Sequence, residues 1–261
     1  MDINNLALIE PYEICSIRPP TENGSLTFRL SRNCYWNKCA FCPVYKNGVT
    51  FSKRPLDEVL SDIIKAKRIY DLIKSSILQN NPFARNDGEI FDLVERIKNE
   101  HLNLGKIDSL IEKSNDLEDS SGLDERSKWF LTWFKDKPAI EDSVTHVYSW
   151  IVNGEKTCFL GDSDSFIFRP DYIAAVTDSI KRSFPSINRI TIYGRTKTAA
   201  KARSIGELRQ FSMAGINRVH FGVESGSNKV LQMVCKGATA EDHVTAAMKV
   251  KEGGLSCSVY V

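Results

Sequence analysis

Four short runs rich in β-branched and aromatic residues recur at intervals of about 30 residues through the second half of this chain, the length of a βα repeat. They are TCFL at 157–160, RITIY at 189–193, RVHFGV at 218–223 and LSCSVYV at 255–261. A fifth run of the same kind, SLTFRL at 25–30, stands far upstream. Helix patterns with start and stop signals lie between them. Pro170 occupies a first helical position, Ser204 and Glu207 have capping-box spacing with Gly215 as the stop, and Thr239, Asp242 and Gly253 repeat that arrangement. Strands alternating with helices across short loops imply a parallel sheet, open or closed into a barrel.

The first helix pattern, RPLDEVLSDIIKAKRIY, starts at Pro55, carries Asp57 and Glu58 in its first turn and sets Leu56, Val59, Leu60, Ile63 and Ile64 on one stripe. About 100 residues then pass before the second strand, far more than one crossover needs, so an insertion is expected at about 71–150. It reads as helical around 89–100 and 107–113, is broken by an acidic, Ser-rich stretch at 115–125, and continues into Trp129, Phe130, Trp133 and Phe134 on one helical face. That stripe reads as core or as a lid over a substrate pocket. Residues 1–24 read as an N-terminal extension and 25–261 as one core domain. The last run stops in mid-strand, which predicts a core incomplete at its C-terminus and cut off in the fifth strand.

With 42% apolar residues among 261, the chain can bury a sizeable core. Its 35 basic and 33 acidic side chains leave a net charge of +2, which implies no polyanionic partner and argues against nucleic acid. The N-terminus lacks the basic and apolar segments of a signal peptide, and no run approaches the roughly 18 apolar residues of a membrane helix. A cytoplasmic setting with reduced thiols is expected, without a membrane partner.

Seven cysteines at uneven spacing do not read as a disulfide framework. Three of them, Cys34, Cys39 and Cys42, fall within nine residues, with no fourth Cys or His close by in sequence. Structural zinc wants four ligands, commonly two paired C-x-x-C units, and one such pair exists here. Three soft thiolates with an open fourth position suit an iron–sulfur cluster, with zinc or a non-metal role as the alternatives. Cys158, Cys235 and Cys257 read as small buried hydrophobes, and Cys15 is not assigned as a ligand. The four histidines form no ligand pair; His220, inside a predicted strand, reads either as a satisfied core residue or as a substrate contact.

The run CYWNKCAFCPVYK, with Phe41 just before the last cysteine, resembles the signature of radical S-adenosylmethionine (SAM) enzymes, though its spacing is four then two residues where three then two is best known. Further stretches resemble that family in the right order: FLGDS at 159–163, YGR at 193–195 and GVESGS at 222–227, followed by KGAT at 236–239. The resemblance covers about 25–70 and 157–261 and is greatest to bacterial and archaeal members of unassigned substrate.

This resemblance implies a partial (β/α)6 barrel with a helical insertion. It implies a [4Fe-4S] cluster on Cys34, Cys39 and Cys42, with its fourth iron binding the amino and carboxylate groups of SAM. It further implies Gly161 and Asp162 at the SAM amino group, Arg195 at its carboxylate, Glu224 at the ribose hydroxyls or amino group, and Phe41 near adenine. Arg195 and Glu224 could instead pair with each other, and Tyr45, just beyond, could be an ordinary loop tyrosine. The implied chemistry is reductive cleavage of SAM to a 5′-deoxyadenosyl radical that abstracts hydrogen from an unidentified substrate, with an electron donor such as flavodoxin or ferredoxin. An iron–sulfur scaffold or electron carrier without SAM turnover, a radical SAM enzyme of RNA, and one of porphyrins are the competing readings.

Overall fold

A computed structural model describes residues 6–15, 17–46, 48–77, 87–106 and 138–261. The expected helix at 107–113, the break at 115–125 and the aromatic stripe at 129–134 lie outside the described residues.

Strand β1 (Leu26–Arg29) runs into a small antiparallel ribbon, β2 (Ser31–Arg32) with β3 (Ser52–Lys53). The remaining strands are β4 (Thr157–Gly161), β5 (Arg189–Gly194), β6 (Arg218–Gly222) and β7 (Ser256–Tyr260). The sheet order is β1-β4-β5-β6-β7 and every neighbouring pair is parallel. All four residues of β1 and the last four of β4 are buried, which is why these strands read as continuous apolar runs: a parallel sheet is covered on both faces. Among the described residues the sheet is open, with β1 and β7 at its edges.

Helix α1 (Leu56–Ser76), α2 (Asp87–Asn103) and α3 (Ile140–Val152) lie between β3 and β4. Helix α4 (Pro170–Ser183) crosses from β4 to β5, α5 (Thr196–Ala202) and α6 (Ile205–Met213) from β5 to β6, and α7 (Asn228–Met233) and α8 (Ala240–Glu252) from β6 to β7. Both predicted capping boxes form: Ser204 with Glu207 on α6, and Thr239 with Asp242 on α8. No described helix is long and apolar enough to cross a membrane.

The core beneath the sheet joins α1, α3 and α4, where Trp150 meets Phe184 edge to face at 5.3 Å between ring centroids. Ile9 and Tyr12 of the N-terminal segment are buried in it, and Tyr12 N–H donates to Ser143 Oγ at 3.1 Å. A charge network secures the root of the cysteine loop. Glu13 receives Arg32 and Arg54, Glu58 receives Arg32 at 2.6 Å, and Arg54 reaches Asp62 at 2.7 Å. Arg54, the buried cation of this network, is thereby paired, as desolvation requires.

Two expectations about cysteines are corrected. Cys158 is buried in β4, but Cys235 and Cys257 are exposed. Cys235 lies in the turn beyond α7 at φ 51°, and Cys257 sits at an exposed position on β7, whose second edge pairs with no described strand.

Candidate functional site

The cysteines occupy the loop joining β2 to β3. Asn33 opens it in the left-handed region at φ 67°, which asparagine tolerates because its side chain bonds locally: Oδ1 accepts from Cys34 N–H at 2.7 Å. Asn37 Nδ2 spans the loop to Tyr45 O at 2.6 Å. The segment after α7 pins the far side. Ala40 N–H donates to Val234 O at 2.9 Å and Trp36 Nε1–H to Cys235 O at 2.8 Å. Gly237, at φ +70°, leaves room for Trp36; a Cβ there would lie 2.1 Å from the indole.

A cavity of about 260 Å³ opens between this loop and the carboxyl ends of β5, β6 and β7. Cys34, Cys39, Cys42 and Phe41 line one side. Tyr193, Arg195, Glu224, Lys236 and Tyr260 line the other. Ligand sites in parallel sheets form at this end because the loops that leave the strands diverge there.

Glu224, just past β6, is held at φ 65° with its N–H donating to Tyr260 O at 2.9 Å. Its carboxylate accepts from Lys236 Nζ at 2.9 Å, so the expected alternative pairing with Arg195 does not occur. Arg195 instead donates to Lys236 O at 2.6 Å and Tyr35 Oη at 3.2 Å, and its guanidinium lies 4.8 Å from the Trp36 ring centroid. The Arg195 N–H donates to the buried Asp164, whose carboxyl burial pushes above its usual range. Lys236 also stands 5.5 Å from the Phe41 ring centroid. Sequence reasoning gave Lys236 no role, although the KGAT stretch pointed at its position.

Gly161 and Asp162 fall behind this wall. Asp162 is buried, and its carboxylate accepts from Arg29 Nε at 2.6 Å and from the Cys15 thiol at 3.4 Å. A Cβ on Gly161 would lie 1.7 Å from Cys15 Sγ, so the glycine serves close packing against Cys15. The next residue, Ser163, reaches the cavity. Neither Gly161 nor Asp162 lines the cavity, and Asp162 is turned inward, where it neutralises Arg29.

All seven cysteines are free thiols. Burial raises the Cys39 thiol, opposed by Lys236 and Arg195, and burial raises Cys42, opposed by backbone N–H groups of Val44 and Tyr45. Among the described residues no three His, Cys, Asp or Glu side chains are gathered closely enough to hold a metal ion, so ligation by Cys34, Cys39 and Cys42 requires the loop to draw them together. The chemistry of the wall fits a thiolate-held group with an open position. It offers three thiols, two cations, a carboxylate and Tyr45 Oη, which is buried without a hydrogen-bond partner and calls for one.

No protein-family model matches the chain, and no curated protein matches it. Solved structures of the cobalamin-dependent S-adenosylmethionine radical enzyme OxsB are similar to it. The form with aqua-cobalamin and S-adenosylmethionine bound has 16% identity and a TM-score of 0.48, over 92% of this chain and 24% of that one. The form with aqua-cobalamin bound has 15% identity and a TM-score of 0.48 over the same shares, and a selenomethionine-labelled apo form has 16% and 0.47 over 90% and 23%. This chain thus spans about a quarter of the length of that enzyme.

Proposed function

We propose that the chain is the cofactor-binding core of a radical SAM enzyme, its open parallel sheet being part of a (β/α)6 barrel. One observation carries the reading: the three thiols of a single loop share one strand-end cavity with Arg195, Glu224 and Lys236, residues far apart in sequence. Cys34, Cys39 and Cys42 would hold a [4Fe-4S] cluster, which when bound supplies the electron that reductive cleavage of SAM requires.

The chain's own residues bind, orient and exclude water. Glu224 accepts from an ammonium or from ribose hydroxyls, Lys236 and Arg195 attract a carboxylate, and Tyr45 Oη donates to whatever acceptor enters. Phe41 and Trp36 offer flat apolar surface to a purine. Closing such a cavity protects a reactive carbon radical from quenching. The substrate is an unidentified molecule and the electron donor a small redox protein such as flavodoxin or ferredoxin.

The test is electron paramagnetic resonance of the anaerobically reconstituted, reduced protein with and without SAM. A [4Fe-4S]⁺ signal that shifts on SAM addition, with formation of 5′-deoxyadenosine, is expected. A signal indifferent to SAM favours a scaffold or electron carrier, and no cluster overturns the reading.

A further inference from the structure

The cavity wall continues inward as a chain of hydrogen bonds that SAM binding does not use. Tyr260, at the end of β7, lines the cavity and lies 3.0 Å from Nδ1 of His220 through its hydroxyl. His220, on β6, has no exposed surface, and its Nε2 lies 3.3 Å from Glu22 Oε1. Glu22 is equally buried. Its other oxygen accepts from Ser25 Oγ at 2.5 Å, and Arg189 approaches at 3.4 Å. Burial alone would raise Glu22, but the bonds from His220 and Ser25 and the charge of Arg189 hold it below the usual carboxylate range, so it is ionised.

An ionised carboxylate accepts only, so His220 Nε2–H donates to Glu22 Oε1 at 3.3 Å. With one ring proton, held on Nε2, Nδ1 is an acceptor and Tyr260 donates to it at 3.0 Å. The phenol oxygen is left with lone pairs for the cavity. The other titratable groups nearby are Cys158 on β4, which adjoins Glu22, and Tyr193 on β5, which adjoins His220, Tyr260 and Glu22. Burial raises both, so they stay neutral.

We propose that Glu22, His220 and Tyr260 form a proton relay opening on the cavity, with Tyr260 exchanging protons with a ligand that bears a weakly acidic O–H or N–H. Tyr260 Oη takes the ligand's proton as its own passes to His220 Nδ1, leaving a ligand anion and an imidazolium held by Glu22; nothing is oxidised or reduced. The ligand-facing part rests on the cavity being the reaction site.

The test is solvent exchange of the proton that His220 carries on Nδ1 in its imidazolium form, read by ¹⁵N-histidine NMR on acidified samples that show both ring nitrogens protonated, with His220→Gln for assignment. Nδ1 faces Tyr260 Oη, and Tyr260 lines the cavity, so Tyr260 is that proton's route out. Tyr260→Phe should slow exchange roughly tenfold, or make a proton observable that exchanges too fast to see in the parent. Faster or unchanged exchange, or no visible proton in either, makes Tyr260 a structural prop and overturns the relay. Glu22→Gln, whose amide can donate, should move the ring proton to Nδ1; an unmoved proton also overturns it. These spectra need neither cluster nor SAM, so the radical reading stands or falls separately. In cluster-loaded protein, SAM whose binding is seen by paramagnetic resonance should slow exchange in the parent; binding without slowing refutes the opening on the ligand site.

Discussion

Asp162→Ala separates a structural carboxylate from a ligand-binding one. In the folded chain Arg29 Nε and Asp162 Oδ2 are 2.6 Å apart, with side chains 8% and 0% exposed. Truncating the aspartate leaves the guanidinium buried with the Ser31 carbonyl at 3.2 Å and Glu13 at 3.8 Å. Removing one member of a buried pair costs about 3–5 kcal/mol, and the remaining Glu13 contact places the expectation near the lower end, about 3 kcal/mol. Against a typical total of about 5–15 kcal/mol this is a large loss. At roughly 2–4 °C per kcal/mol for a chain of this size, the midpoint should fall by about 6–12 °C. Urea denaturation followed by circular dichroism measures the loss. Replacing both partners, Arg29→Met with Asp162→Leu, should recover most of it, because no charge is left unpaired. A loss under about 1 kcal/mol for Asp162→Ala, or a double variant no better than the single one, would refute the assignment. Weakened SAM binding at unchanged stability would return Asp162 to the ligand site.

Gly161→Ala should destabilise by about 1–3 kcal/mol, since the new methyl overlaps Cys15 Sγ, and adding Cys15→Ala should restore stability in the same urea assay. His146 accepts from Thr27 N–H at 3.0 Å and is pushed down to about 3 by burial and then by Arg18. The unfolded chain therefore binds one more proton between about pH 3 and 6.5, and stability present above pH 6.5 is lost as pH falls, by up to about 1.4 kcal/mol per unit. His146→Gln should flatten that slope by one proton in denaturation curves taken between pH 4 and 6. Cys39→Ala should lower iron content after anaerobic reconstitution and abolish the SAM-responsive signal, whereas Cys257→Ala, exposed on β7, should leave iron content unchanged.

Much of the architecture was legible because it is local. The five long strands lie within a residue or two of the runs that announced them, and the Ser204 and Thr239 boxes cap the helices they were read to start. The β2–β3 ribbon was not legible: two-residue strands with the sequences SR and SK carry no periodicity. At the site, the cysteine spacing marked the loop, but Lys236 as partner of Glu224 and the glycine at 237 that admits Trp36 depend on contacts across distant segments.

The sequence by itself determined that strands and helices would alternate into a parallel sheet, and that three thiols would share one loop, since both follow from neighbours along the chain. Tertiary structure decided which strand-end residues face the cavity. Asp162 and Ser163 are adjacent, yet one turns inward to a cation from β1, 133 residues away, while the other lines the cavity. That choice is made by the need to neutralise a buried Arg29, a requirement that exists only once β1 and β4 lie side by side.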